Sequence, residues 1–154
     1  MIAVVQRVLS ARVTVEGAVV GEIGAGLCVL VAVERDDTDQ DVTWMAGKLA
    51  TLRVFRYGDK YFDLDVKQIS GGILLVSNFT VAADTSSGRR PGLSPAAAPD
   101  VGRVYFDKLV AAVRALDVPV QTGQFGAEMK VDIANDGPVT LVVSSRESRR
   151  VETK

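Results

Sequence analysis

Residues 27–33, Leu-Cys-Val-Leu-Val-Ala-Val, form the longest apolar run in the first third of the chain. The run follows the turn-forming residues Gly24-Ala25-Gly26 and ends before a polar break at residues 36–39. A short, continuous apolar run is typical of a strand, and the absence of alternating polar positions indicates burial on both faces. This segment therefore predicts a strand inside a β-rich fold.

Three strand-like segments precede this run, at residues 2–8, 11–15 and 19–23. The second alternates between apolar and polar side chains, and Glu16-Gly17 separates it from the third. Strands that recur about every 8–10 residues are typical of hairpins. The first part of the chain is therefore predicted to form an antiparallel sheet.

Two segments after the run, residues 41–52 and 100–116, have the apolar spacing of amphipathic helices. The polar residues 36–39 can cap the start of the first helix. Residues 82–99, rich in Gly, Ser, Ala and Pro, predict a long loop, and such loops are often functional. Further strands are predicted at residues 53–56, 73–76, 118–124, 128–134 and 139–144.

Together these patterns predict one α+β domain over residues 1–145. It is expected to be mostly antiparallel β-sheet, barrel-like, with two main helices. Residues 146–154 are mostly charged or polar, which predicts a C-terminal tail. The sequence shows no internal repeat and no linker that would divide the chain.

The chain contains no histidine. This excludes Ser-His-Asp and Cys-His nucleophilic groups, and it excludes most catalytic zinc sites. Any hydrolytic chemistry must therefore use carboxylates, lysines, backbone groups or the substrate itself. We expect no metal and no cofactor.

Charge and hydropathy limit the partners and the location. The net charge is −1, which disfavours binding of duplex nucleic acid by charge alone, so an RNA contact would have to be local. No apolar run approaches the roughly 20 residues that cross a bilayer, and we expect no membrane contact. No leader pattern opens the sequence, and Cys28, the one cysteine, is predicted to be an inert core thiol. A cytoplasmic protein is expected.

Ser77-Asn78-Phe79-Thr80 follows a buried strand and supplies two hydroxyls, an amide and an aromatic face. Polar groups at a strand end are candidates for a binding or catalytic site. The alternative interpretation is an ordinary strand end, with Phe79 in the core and the hydroxyls bonded to local backbone.

Asn135-Asp136-Gly137-Pro138-Val139-Thr140 combines residues that favour turns. One interpretation is a hairpin turn between two strands. The other is a functional element, because a Gly-Pro bond is a place where a cis peptide is affordable and two rigid carbonyls could form a selective rim.

Eight segments of the chain match the motifs of one known family, in the same order. Ser77-Asn78-Phe79-Thr80-Val81 is similar to its Ser-Gln-Phe-Thr-Leu motif, and residues 135–140, Asn-Asp-Gly-Pro-Val-Thr, also match the family. The other matching segments are residues 1–8, 13–15, 21–27, 83–85, 88–91 and 122–129. Over almost its full length the chain thus resembles the D-aminoacyl-tRNA deacylase family. The chain departs from the family pattern at three places. Asn78 replaces Gln, Val81 replaces Leu, and Gly92-Leu93 lacks the bulkier residue that is expected after Arg90-Pro91.

The resemblance implies a homodimer in which the Gly137-Pro138 element of one subunit reaches the active site of the other. The bond is expected to be cis, with both carbonyls projecting towards the α-carbon of the substrate. An L side chain would meet these carbonyls, whereas a D side chain points away and glycine is poorly excluded. Selectivity of this kind works by clash with the wrong substrate, as in editing sites.

The implied reaction is hydrolysis of the ester of D-aminoacyl-tRNA, with Ser77, Phe79 and Thr80 as the catalytic segment. The 2′-hydroxyl of the terminal adenosine would assist the attacking water. Backbone N–H groups near Phe79 and Thr80 would stabilise the oxyanion. Phe125 and Met129, together with Phe79, would hold the adenosine by stacking and packing.

Three further expectations concern polar side chains. Arg7 is expected to orient the Gly-Pro carbonyls. Asn78 is expected to bind substrate, although it is one methylene shorter than the Gln of the family. Arg89 and Arg90 either meet phosphates or belong to a solvated loop.

Two alternative functions stay open from the sequence. Thr80 could be a covalent nucleophile, but a threonine hydroxyl is weak without an activating base. The chain could also be a dimeric nucleotide-binding or RNA-end-binding module without turnover.

Overall fold

The computed structural model describes residues 1–146 and contains one large sheet, two α-helices and a small hairpin. In chain order the elements are β1 (Ile2–Val15), β2 (Ala18–Ile23), β3 (Gly26–Ala32), α1 (Asp39–Thr51), β4 (Phe55–Tyr57), β5 (Lys60–Leu64), β6 (Gly72–Ser77), a 3-10 helix (Phe79–Ala82), α2 (Pro99–Arg114), β7 (Val120–Thr122) and β8 (Lys130–Ser144). The α+β class and the two main helices are confirmed.

The large sheet has the order β2-β1-β3-β6-β7, and β8 pairs with β1. The antiparallel prediction holds for all three pairings of β1, with β2, β3 and β8. The β3–β6 and β6–β7 pairs are instead parallel. Their connections contain α1 and α2, and a crossover helix of this kind returns the chain to the same end of the sheet.

Two pairs of predicted strands are continuous in the structure. Residues 2–8 and 11–15 belong to one strand, β1, and residues 128–134 and 139–144 fall largely within β8. The hairpin-turn interpretation of residues 135–140 is therefore wrong, because the chain passes through them without reversing direction. The long pairing with β1 satisfies the backbone on both sides of this segment and holds it in the strand.

The core lies on both faces of the sheet. On one face Leu27 and Val29 of β3 pack with Met45 of α1 and Leu109 of α2. On the other face Cys28 belongs to a second cluster, together with Val8, Val13, Leu74 and Val76. Burial on both faces of β3 is thus confirmed, and burial raises the pKa of the Cys28 thiol to about 11, as expected for an inert core cysteine.

Local chemistry explains the helix boundaries. The Asp41 carboxylate accepts hydrogen bonds of 2.8 Å from both the N–H and the hydroxyl of Thr38, which begins α1 as the polar break predicted. Pro99 occupies the first turn of α2, where its missing N–H costs nothing. Arg146, the first residue of the predicted tail, pairs with Glu34 at 3.1 Å, and the remainder of the tail lies outside the described residues.

Candidate functional site

A cavity of about 680 Å³ opens beside the end of β6. Its volume lies within the range of small-molecule sites. Its walls are mainly apolar, and the polar side chains among the lining residues are those of Ser77 and Asn78. The lining residues are Leu30, Val31, Val33, Val76, Ser77, Asn78, Phe79, Leu93, Ala96, Ala97, Pro99, Gly102, Phe106, Phe125, Gly126, Ala127, Met129 and Val131.

The polar wall is formed where β6 ends and the 3-10 helix begins. The N–H of Asn78 donates to the Val31 carbonyl at 2.8 Å, which ties the segment to β3. The Asn78 side-chain oxygen accepts the Thr80 N–H at 3.2 Å and also the Thr80 hydroxyl. Asn78, which is one methylene shorter than the Gln of the family, therefore caps the 3-10 helix with its side-chain oxygen. The nitrogen of the same side-chain amide remains for contact with a ligand.

Phe79 is not a core residue, because 58% of it is exposed. The ordinary strand-end interpretation is therefore wrong for its side chain, which lines the cavity. Phe79 is the first residue of the 3-10 helix, and an N–H at the start of a helix has no acceptor within that helix. Phe79 thus presents an exposed aromatic side chain at the cavity.

Another part of the cavity lining comes from the loop that joins β7 to β8. Phe125 packs against Phe106 of α2 with ring centroids 6.0 Å apart, and Met129 also lines the cavity. Gly123 allows this arrangement, because a Cβ built on it would lie 2.6 Å from the Met129 sulfur. A larger residue at 123 would displace Met129 or the loop.

The long loop between the 3-10 helix and α2 supplies Leu93, Ala96 and Ala97 to the cavity, and Pro99 at the start of α2 also lines it. Paired hydrogen bonds of 2.8 Å between Asp84 and Gly92 hold the loop closed. The position of the loop at the cavity is consistent with the prediction that the loop is functional. Its apolar residues, like those of β3, have no sequence signal that separates them from core residues, so sequence analysis missed them.

The Gly137-Pro138 element is an enlarged bulge in β8. Thr140 pairs with Gln6 and Asn135 pairs with Val8, so residues 136–139 lie opposite Arg7 alone. The Asn135 side chain donates to the carbonyls of Arg7 at 3.1 Å and Val139 at 3.0 Å, which closes the base of the bulge. The Gly137–Pro138 peptide bond is cis, and both residues are exposed.

Arg7 lies directly beneath this bulge. Its Nη1 donates to the Val54 carbonyl at 2.6 Å, and its Nε lies 3.0 Å from the Asp136 carboxylate. A Cβ built on Gly137 would lie 3.0 Å from Nη2. No hydrogen bond joins Arg7 to the Gly137 or Pro138 carbonyl, and Arg7 forms an ion pair with Asp136 at the start of the bulge. That Arg7 orients the two carbonyls remains a prediction.

The structure therefore divides the predicted site residues into two groups. Ser77, Asn78, Phe79, Phe125 and Met129 line one cavity, and Thr80 is hydrogen-bonded to Asn78 beside it. Arg7, Gly137 and Pro138 form a separate surface that does not line the cavity of the same chain. Arg89 and Arg90 are exposed on the loop.

Within residues 1–146, no three His, Cys, Asp or Glu side chains are grouped so that they could hold a metal ion. Neither of the two α-helices in this part of the chain has the length and apolarity needed to cross a membrane.

Comparison with known proteins identifies the family. Residues 4–144 match the family model of D-Tyr-tRNA(Tyr) deacylase. The chain is 50% identical to a D-aminoacyl-tRNA deacylase of Cupriavidus metallidurans, over 92% of this chain and 94% of that protein. It is 49% identical to a D-aminoacyl-tRNA deacylase of Chloroflexus aurantiacus, over 97% of this chain and 93% of that one.

Two solved structures share the fold. A c-Myc DNA unwinding element binding protein superposes with a TM-score of 0.88 at 34% identity, over 94% of this chain and 98% of that one. A protein described as a probable eukaryotic D-amino acid tRNA deacylase superposes with a TM-score of 0.79 at 18% identity, over 92% and 97%. With the family model, the bacterial relatives and the cavity beside Ser77–Thr80 in agreement, the chain belongs to the D-aminoacyl-tRNA deacylase family.

Proposed function

We propose that the chain hydrolyses the ester bond of D-aminoacyl-tRNA, releasing tRNA and the amino acid, as a proofreading enzyme of translation in the cytoplasm. One observation carries the proposal. In a chain of this family, an apolar cavity of about 680 Å³ has its polar groups concentrated at Ser77, Asn78 and Phe79. Such a cavity suits a nucleoside that bears a small ester at one end.

The cavity provides different surroundings for the two parts of this ligand. The terminal adenosine packs against Phe125 and Met129, because purines stack on aromatic and apolar side chains. The ester then lies towards Ser77 and Phe79. The Phe79 N–H is the donor for the oxyanion, since the Thr80 N–H is already bonded to Asn78.

The protein supplies no histidine base, so the substrate supplies the proton-transferring group. The 2′-hydroxyl of the terminal adenosine is next to the esterified oxygen and assists the attacking water. An aminoacyl ester is an activated bond, and positioning with electrostatic stabilisation accounts for the rate increase that is required.

Gly137 and Pro138 carry the chiral selection in this proposal. They do not line the cavity of their own chain, yet they are exposed on a braced bulge. A homodimer that places this bulge at the partner's cavity would give the site a rigid rim without side chains. The rim rejects L-aminoacyl esters by clash and admits D-aminoacyl and glycyl esters, so glycyl-tRNA is also a substrate.

Two other functions are less well supported. A covalent Thr80 mechanism needs a base, but the Thr80 hydroxyl donates to the neutral Asn78 amide. A binding module without turnover would use the same cavity, but it would not need a rim that acts on the amino acid.

Single-turnover hydrolysis of labelled D-Tyr-tRNA, L-Tyr-tRNA and Gly-tRNA tests the function. We expect cleavage of the D-tyrosyl and glycyl esters and survival of the L-tyrosyl ester. Tight binding of D-Tyr-tRNA without release of tyrosine would support the binding module instead. Light scattering tests the homodimer, and a fully active monomer at assay concentration would contradict it.

A further inference from the structure

Arg103 is an exposed cation placed against one wall of the cavity. Its guanidinium carbon lies 4.7 Å from the centre of the Phe125 ring, and its Nη2 lies 3.4 Å from the Phe125 carbonyl oxygen. Both the residue before it, Gly102, and the loop residues Phe125 and Gly126 line the cavity. Arg103 is therefore an exposed residue beside the cavity, with its guanidinium over the face of the Phe125 ring.

The Arg103 guanidinium is oriented but keeps free donors. It stacks on Phe125, and Gly126 leaves room beside it, since a Cβ built there would still be 3.9 Å from Nη2. Within residues 1–146, no carboxylate forms an ion pair with Arg103. By contrast, Lys108, which lies five residues further along α2, is paired with Asp39 at 2.6 Å.

The direction of the bound RNA follows from the proposed function, on which this inference rests. The ester is on the ribose and lies towards Phe79 inside the cavity. The chain of the RNA leaves the same ribose in the 5′ direction, so its first phosphate must emerge at the rim. A guanidinium recognises phosphate by paired hydrogen bonds, which an exposed and stacked arginine offers at low entropic cost.

We infer that Arg103 binds the 5′-phosphate of the terminal adenosine and is a specificity residue for a nucleotide over a nucleoside. In the same place it supports Phe125, against which the base packs. The two roles make different predictions, because the support of Phe125 affects every substrate and the phosphate contact affects only substrates that carry the phosphate.

The test compares two small substrates, the 3′-D-tyrosyl esters of adenosine and of adenosine 5′-monophosphate. The wild type is measured beside Arg103→Gln, Arg103→Lys and the control Lys108→Gln, which removes the same charge from the same helix. For Arg103→Gln we expect kcat/KM to fall about 10-fold or more on the phosphate-bearing ester, the scale of a charge-assisted hydrogen bond. On the adenosine ester the expected fall is less than about 3-fold.

Arg103→Lys should recover part of the phosphate preference, and Lys108→Gln should retain all of it. With full-length D-Tyr-tRNA, Arg103→Gln should raise KM more than it lowers kcat. It should also reduce the slope of log KM against log salt concentration by about the amount that one phosphate contact contributes. Equal losses on the two small esters, or an unchanged salt slope, would overturn the phosphate contact.

Calorimetry separates this inference from the proposed function. Adenosine 5′-monophosphate should bind the wild type more tightly than adenosine does, and Arg103→Gln should remove the difference. If the wild type hydrolysed no aminoacyl ester, the proposed function would fail, whereas the binding of adenosine and of adenosine 5′-monophosphate would still decide the role of Arg103. Equal affinity of the wild type for both would reject it.

Discussion

Arg7 Nε lies 3.0 Å from the carboxylate of Asp136, on the strand opposite and at the start of the Gly137-Pro138 bulge. The arginine side chain is 11% exposed, and Asp136 is 43% exposed. The buried Arg7 guanidinium thus forms an ion pair with the first residue of the bulge, although Nε makes no hydrogen bond, and its Nη1 donates to the Val54 carbonyl. We expect the position of the bulge to depend on this chain of contacts.

Replacement of Asp136 tests that support. Asp136→Asn should reduce kcat/KM on D-Tyr-tRNA by about 3- to 10-fold with little loss of stability, because a half-exposed ion pair contributes at most about 1 kcal/mol. Asp132→Asn, which removes a carboxylate 3.8 Å from Arg12 on the same strand, is the matched control and should retain full activity. Equal effects of the two changes would mean that the ion pair does not position the bulge.

Gly137→Ala should impair both D-activity and the rejection of L-Tyr-tRNA. Gly137 has a φ of +125°, and an added Cβ would lie within 3.0 Å of Arg7 Nη2 and the Val139 nitrogen. A displacement of about 1 Å near a reacting centre costs about 10²-fold in rate. Gly17→Ala is the control, since Gly17 also has a positive φ but nothing within 4 Å of the added Cβ. Gly137→Ala with unaltered rate and chirality would refute the rim.

Thr80→Ala should keep most of the activity, because the Thr80 hydroxyl caps locally onto Asn78 and no base activates it. We expect a loss below about 10-fold in single-turnover rate, since only a positioning contact is removed. Thr80→Ser, which retains a hydroxyl, should resemble the wild type. A loss of about 10⁴-fold in Thr80→Ala that Thr80→Ser restores would instead indicate a covalent nucleophile.

The 2′-hydroxyl of the substrate should be required. The chain has no histidine, so a deoxy substrate would lack the group that assists the water. D-aminoacyl-tRNA ending in 2′-deoxyadenosine should react at least about 10²-fold more slowly under saturating conditions, the scale of general acid–base assistance. Equal affinity must be verified by competition. Equal single-turnover rates would exclude substrate assistance.

Acid should destabilise the protein partly through Asp41. Although burial opposes ionisation, hydrogen bonds from Ser145 and Thr38 lower the pKa of Asp41 to about 2. A carboxylate whose pKa is lower in the folded chain stabilises it above its ordinary pKa, and that contribution disappears as the pH falls from about 4 towards 2.

Asp41→Asn should therefore lower the free energy of unfolding by about 2 kcal/mol at pH 7. It should also flatten the loss of stability between about pH 4 and pH 2. The neighbouring residue provides a control, because Asp39 is exposed and Asp39→Asn should have little effect. Denaturant unfolding at several pH values measures both. An unchanged acid profile in Asp41→Asn would show that other carboxylates control it.

Local patterns in the sequence determined a large part of this protein. The apolar run at 27–33 predicted a strand buried on both faces, and helical spacing predicted α1 and α2, because periodicity is a property of neighbouring residues. The absence of histidine limited the chemistry before any geometry was known. The ordered motifs around Ser77–Thr80 and Gly137-Pro138 identified the segments that carry the candidate site.

Long-range pairing decided what the sequence could not. Residues 135–140 have the composition of a hairpin turn. Because β8 pairs with β1 on both sides of this segment, with a register shift between the two sides, the segment is a bulge within one strand. Phe79 is an aromatic residue of the kind usually found in a core, but its position after β6 leaves it exposed at the cavity. The contacts from Arg7 to Val54 and Asp136 join residues that are far apart in the chain. The local sequence around Arg7 specifies a hydrogen-bond donor but not its acceptor. Only the tertiary structure therefore decides which partners this buried guanidinium meets.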